Sequence, residues 1–463
     1  MREVARFAHP YIPNSAPVVK AEMLATVGVA DVDELYASIP NALRFEGELD
    51  LPSALESEVA LRRHMNGLLA RNVTAGQTLS FLGAGCYQHY VPSICGEINS
   101  RAEFLTAYAG EPYEDHGKWQ AIFEYTSLMA DLLEMDVVNV PNYDGYQAAA
   151  TALRMAVRMT GRATVLVSDA VLADKRRKIE SYLEGAATVV VLPVDRETGR
   201  VVPSAVEERM GDDVAAVYLE TPNALGVVET ELSAIAGIAH GAGGLLICGV
   251  EPLALGFLES PASSGADILC GDIQALGLGM HFGGAHGGFI ATHDEETFVY
   301  EFPSRLFGIA PTVEDGELGF TDVAYERTSL AMREEGIEWV GTAAALWGIT
   351  AGVYLSLLGP HGLSELGETV AANTRYAIER IRVLPGAEII AADAPHWREF
   401  AVRFEGRTAA EVESGLRGRG IFGAVPLRRE LPDLGETVLF AVTEIHSSAD
   451  IDRLADALEG ILA

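Results

Sequence analysis

The sequence predicts an α/β protein: a large domain on an open, mostly parallel sheet, followed by a smaller C-terminal α+β domain. Three observations carry this. Short apolar, β-branched runs alternate with helical segments through the middle of the chain, as buried parallel strands with crossover helices require. A long apolar helix candidate over 347–358 ends at Gly359-Pro360, a helix stop signal. Beyond it, helices and strands follow in turn as a separate, smaller set.

Taken in order, residues 1–75 read as an N-terminal arm, with Pro10, Pro13 and Pro17 early and a helix over 56–70. The large domain is expected over 76–355. Residues 118–134 place apolar side chains three and four apart, the spacing of an amphipathic helix, and the Ala-rich stretch 146–159 is helical. Strands are expected over 164–167, 187–192, 215–219, 244–247 and 266–270. The small domain, 356–463, holds a helix over 363–384, a strand over 399–404, a helix over 409–419, a strand over 437–441 and a last helix from Ser448.

Composition excludes several functions. A net charge of −33 over 463 residues repels phosphate backbones and anionic lipid, which argues against nucleic-acid or membrane binding. Cys86, Cys95, Cys248 and Cys270 form no C-x-x-C pair, so neither a zinc site nor a dithiol motif is signalled. The N-terminus lacks the apolar core of a signal peptide and no long apolar span occurs, which points to the cytoplasm. The basic residues are almost all arginine. The only lysines are Lys20, Lys118, Lys175 and Lys178, so the last 285 residues contain none.

Four segments carry candidate chemistry. FLGAGCYQHYVP (81–92) contains G-A-G without the third glycine of a dinucleotide loop or a clear preceding strand. Its functional reading is a flexed loop whose Tyr87, His89 and Tyr90 line a polar pocket. TAYAGEPYEDH (106–116) gathers two tyrosines, three carboxylates and a histidine, a composition common in functional loops. Tyr108 and His116 are its pocket candidates, His116 as a general acid or base. PNYDGYQAAA (141–150) is a turn entering a helix, where free N–H groups favour an anion. GDIQALGLGMHFGGAHGG (271–288) follows a strand. His281 and His286 in it are five apart, but no third ligand is placed, so no metal is expected.

In order along the chain, FLGAGCYQHYVPS, FLTAY, QAIFEY, MDVVNVPNYDG, TPNALGVVE, GADILCGDIQALG, YLSLLGPHGL and AVTE resemble the α subunit (subunit 1) of two-subunit glycine dehydrogenase (decarboxylating), the P-protein of the glycine cleavage system. The resemblance covers nearly the whole chain. It implies a pyridoxal-phosphate (PLP) dependent, aminotransferase-like fold of type I. It also implies an α2β2 assembly in which the β subunit holds PLP on a lysine, and a reaction in which glycine loses CO2 and passes its aminomethyl group to a lipoyl H-protein. The lysine gap agrees independently, since such enzymes tether PLP through a lysine Schiff base. Gln274 and Ala275 stand near the place of that lysine. The resemblance makes Tyr143, Asp144 and Gly145 a remnant phosphate-binding turn, puts Asn223 near the cofactor's phenolic oxygen, and puts Glu251 near its pyridine nitrogen. Three segments depart from the family pattern: YAGEPYEDHGK, VSDAVLAD, where Leu172 replaces a histidine, and MREEGIEWVGT. A subunit of a diverged PLP enzyme acting on another amino acid, and a non-catalytic scaffold subunit, are the competing readings.

Overall fold

The computed structural model describes the chain except for residues 1–10, 46, 48, 105–115, 323–326, 341–343 and 430. It divides into two units, Met1–Asn72 and Val73–Ala463. In the first, helix Pro17–Val27 begins on a proline, whose missing N–H is no loss in a first turn, and ends at Gly28 with φ 85°. Helix Glu58–Leu69 is capped by Ser57, which accepts a hydrogen bond from the Ala60 N–H at 3.1 Å. Neither helix buries a residue.

The second unit opens with β1 (Leu79–Ser80) and is built on a seven-stranded sheet. Its strands are β2 (Val137–Val138), β3 (Thr164–Ser168), β4 (Thr188–Leu192), β5 (Val214–Thr221), β6 (Leu245–Val250), β7 (Ile268–Asp272) and β8 (Gly288–Thr292), in the order β2-β8-β7-β6-β5-β3-β4. Strands β4, β3, β5, β6 and β7 are parallel. β8 runs antiparallel to β7, and β2 antiparallel to β8. The sequence pattern located β3 to β7, whereas β8 is hidden behind the glycine run that precedes it.

Side chains alternate across this sheet. On β5, Val217 and Leu219 join one core, and Ala216 and Tyr218 the other. Helices Gly145–Thr160 and Ala173–Leu183 cover one face. Helices His116–Leu133 and Leu232–Gly241 cover the other, with the first half of helix Ala345–Ile381. With both faces buried, the strands read as near-continuous apolar runs.

Gly359-Pro360 does not end its helix. The chain bends at Gly359 (φ 60°, ψ −178°) and resumes as helix to Ile381. Proline removes one N–H and glycine accepts the positive φ, so the pair inserts a kink without a loop. A β ribbon of β9 (Phe307–Pro311) and β10 (Leu318–Asp322) precedes this helix.

After the kink, Ala377, Ile378 and Ile381 pack on a four-stranded antiparallel sheet. It comprises β11 (Ala387–Ile389), β12 (Glu399–Phe404), β14 (Val425–Pro426) and β15 (Thr437–Ala441), while β13 (Ile421–Phe422) pairs in parallel with β1. Helices Ala409–Arg417 and Ser448–Leu462 complete this layer, each opened by a capping box, Thr408 with Glu411 and Ser447 with Asp450. Among the described residues no helix is long and apolar enough to cross a membrane.

Candidate functional site

A cavity of about 110 Å³ lies at the C-terminal edge of the parallel strands, where open α/β sheets place their ligands. Glu220, Pro222 and Asn223 enter it from the end of β5, Glu251 from the end of β6, and Asp272 and Gln274 from the end of β7. Gly145 and Tyr146 come from a helix start, Gly85 and Tyr87 from the 81–92 loop, and Glu399 from β12.

The loop is fixed from both sides. The Phe81 N–H donates to Phe422 O at 2.6 Å, and Phe81 O accepts from the Ala441 N–H at 2.9 Å. The Ala84 N–H donates to Glu399 Oε1 at 2.6 Å, and the Tyr87 hydroxyl to Glu399 Oε2 at 3.1 Å. A side chain at Gly83 would collide with the Glu399 carboxylate and Ala441, which explains a glycine at that position. Thr443 donates to Gln88 O at 2.9 Å and Glu444 accepts from the Tyr90 N–H at 2.6 Å, so AVTE is the far side of the same contact.

Gln274 stands at the end of β7. Its Oε1 accepts from the Tyr87 N–H at 3.1 Å, and its Nε2 donates to Tyr87 O at 3.0 Å and Leu278 O at 3.1 Å. The start of helix Gly145–Thr160 carries its own anions. Asp144 caps it through the Gln147 N–H at 2.7 Å, and Asp272 Oδ2 accepts from the Gly145 N–H at 3.0 Å. Burial pushes the Asp272 carboxyl upward, against the Gly145 N–H and His286.

Lys175, one helical turn beyond Leu172, reaches the cavity and pairs with Glu220 at 2.5 Å. Burial alone would lower its pKa; Glu220 more than offsets that and holds the ammonium above its ordinary value. Glu220 also accepts from the Tyr218 hydroxyl at 2.8 Å. Four carboxylates therefore line the cavity, Glu220, Glu251, Asp272 and Glu399, against one ammonium. Behind the wall, the Arg398 guanidinium is buried between the rings of Tyr87 (4.5 Å) and Trp397 (4.7 Å), 3.7 Å from Glu251. Burial raises the Glu399 carboxyl to about 7, opposed by the Ala84 N–H, Tyr87 and Arg398.

The sequence-level candidates divide. Tyr87, Gly145, Asn223 and Glu251 line the cavity. His89 is buried behind it, its Nε2 2.7 Å from Leu278 O, and Tyr90 is exposed. Tyr143 is exposed, outside the cavity. Asn223 makes a turn: its Oδ1 accepts from Leu225 and Val227 N–H groups, and its Nδ2 donates to Gly199 O and Glu229. Tyr108 lies outside the described residues. His116 opens helix His116–Leu133, with its side chain outside the described part.

Lys175, Asp272, Arg398 and Glu399 were not anticipated. Asp272 meets Gly145 across 127 residues of sequence, a distance no local pattern reports. Cys86 lies 3.9 Å from His286 Nε2, and His286 Nδ1 is 3.8 Å from Asp272, a line-up reminiscent of a nucleophile. Burial, with Asp272, pushes the thiol up to about 11, so it stays protonated and unreactive. His281 stacks on Trp347 at 4.9 Å, and among the described residues no three ligating side chains gather around a metal position.

The sequence profile described as glycine cleavage system P-protein matches residues 9–458. The chain belongs to this family. It is 35% identical over 98% of both chains to a probable glycine dehydrogenase (decarboxylating) subunit 1 of Staphylothermus marinus. With its counterpart in Brevibacillus brevis it shares 37% identity, over 96% of this chain and 97% of that one. A crystal structure of glycine decarboxylase (P-protein) of the glycine cleavage system, in inhibitor-bound form, superposes with a TM-score of 0.84 at 34% identity, covering 96% of this chain and 98% of that one. A NifS-like protein shares the fold, with a TM-score of 0.61 at 13% identity over 83% of this chain.

The P-protein resemblance brings PLP into question, and the cavity residues of this chain do not fit it. A tether needs a free lysine at the strand end; Gln274 is there, with its amide engaged on both sides. A phosphate needs free N–H groups, and the Gly145 N–H is held by Asp272. The remaining lysine in the cavity is a charged partner of Glu220.

Proposed function

We propose that this chain is the subunit of a heteromeric, PLP-dependent glycine decarboxylase that does not anchor the cofactor. With a second subunit carrying PLP on a lysine, in an α2β2 assembly, it takes part in converting glycine and a lipoyl H-protein into the aminomethyl-lipoyl form and CO2. PLP serves such chemistry as an electron sink when bound; in this reading it is bound on the partner. The observation that carries the proposal is Gln274 at the end of β7, holding Tyr87 where a cofactor lysine would project. The relatives' name, subunit 1, supports the need for a second chain.

In this reading the chain's own cavity is structural. Lys175 stays protonated against Glu220, so it does not act as an amine nucleophile, and Asp272 excludes a phosphate from the Gly145 N–H. Of the cavity-lining candidates, Tyr87 braces the 81–92 loop, and Gly145, Asn223 and Glu251 are remnants of a cofactor cradle. The protein acts in the cytoplasm.

The test is to purify the chain alone and with its second subunit, reduce with borohydride, and map the pyridoxyl label by mass spectrometry. Label on the second subunit only, with glycine-dependent CO2 release that needs H-protein, is expected. Label on Lys175 would overturn the reading. Decarboxylation of another amino acid in place of glycine would move it to the diverged-enzyme alternative.

A further inference from the structure

The ribbon β9–β10 is apolar on one side only. Ile309 stands opposite Phe320 and Pro311 opposite Leu318, and paired residues share a face, as do residues two apart. Among the described side chains, one face therefore carries Phe307, Ile309, Pro311, Leu318 and Phe320. The other carries Gly308, Ala310, Gly319 and Thr321.

Only Phe307 of the apolar face is buried, lying against Trp119 with ring centroids 5.9 Å apart; Phe320 meets Phe123 at 5.5 Å and stays 38% exposed. The outer part of the face is open: Ile309 is 45% exposed, Leu318 65%, and Val313 at the turn fully so. A two-stranded ribbon is marginal in water on its own, so an apolar face left half covered is a surface for another chain.

Charge decides which chain. The turn beyond Pro311 holds Glu314, Asp315 and Glu317, all exposed, on a protein of net charge −33. A second copy would bring the same acidic surface against this one, and like-charge contact disfavours it. Resting on the heteromeric reading above, we propose that the outer apolar face of β9–β10 docks in an apolar groove with a basic rim on the second subunit.

Sedimentation velocity of the full chain mixed with its second subunit from the same organism tests this. Leu318→Arg and Ile309→Arg are expected to weaken the association roughly 30-fold or more, as truncating a central contact does. Because both side chains are exposed, the isolated variants should unfold at the wild-type midpoint. Glu314→Lys with Asp315→Lys should weaken association and flatten its salt dependence. Hydrogen exchange of 307–322 should slow on mixing. Wild-type affinity in the ribbon variants, with exchange unchanged, overturns the docking proposal while leaving the heteromer intact. Leu318-dependent self-association of the chain alone overturns it in favour of a second copy. No association of the wild-type chains overturns the heteromeric reading as well.

Discussion

The side-chain amide of Gln274 pairs with the main chain of Tyr87 on both sides, accepting from its N–H at 3.1 Å and donating to its C=O at 3.0 Å. One residue at the end of β7 thereby does for the 81–92 loop what a neighbouring strand would do. Both partners are buried, so no water replaces a lost bond. Gln274→Ala is expected to cost about 1–3 kcal/mol, the penalty for stranding a buried polar group, and to speed hydrogen exchange at Tyr87. Urea unfolding with exchange mass spectrometry checks both, and an unchanged Tyr87 amide would contradict the pairing.

Lys175 and Glu220 are a buried ion pair, 11% and 12% exposed. Lys175→Met leaves a lone carboxylate in the cavity and should destabilise by about 3–5 kcal/mol. Adding Glu220→Leu should recover most of that loss, because the uncompensated charge is then gone. A double-mutant cycle from denaturant curves measures the coupling, and additive effects would contradict it.

Glu399 sets a pH dependence with a definite sign. Its folded carboxyl is raised to about 7, above the ordinary 4.5, by burial. Between those values the native chain keeps a proton that the unfolded chain has lost, so stability falls as pH rises through this window. Glu399→Gln keeps the shape and removes the titration. The variant should gain on the wild type from pH 5 to pH 8, by at most about 3 kcal/mol. A gap that does not change with pH would show that Glu399 does not carry it.

Gly83 is fixed by space. Ala at this position meets the Glu399 carboxylate and the Ala441 side chain, and the loop must retreat. Gly83→Ala should cost about 1–3 kcal/mol, as overpacking does. Combining it with Glu399→Ala, which removes the carboxylate clash but leaves the Ala441 one, should give less than the sum of the two; full additivity in thermal unfolding would count against the Glu399 contact.

The fold was legible where periodicity is local. The runs in β3 to β7, β12 and β15 follow from apolar pattern alone, because both faces of all but the edge strand β4 are covered. β8 was hidden by its glycine-rich approach, and Gly359-Pro360 read as a stop because sequence does not separate a kink from an end. The glutamine in place of a lysine could be located from the strand before it. The Asp272–Gly145 contact, the burial of Arg398 and the reach of Lys175 into the cavity could not, since each joins elements far apart in the chain.

In the proposed reading the cavity's own groups take a cofactor's place: Gln274 braces the loop, Asp272 holds the Gly145 N–H, and Lys175 neutralises Glu220. A protein that binds a ligand only when folded gains stability by mass action, in proportion to the logarithm of ligand concentration. In the non-anchoring reading proposed above, this chain has no such dependence built into its cavity. On that reading its folding does not depend on coenzyme concentration, and apo conditions leave its stability unchanged.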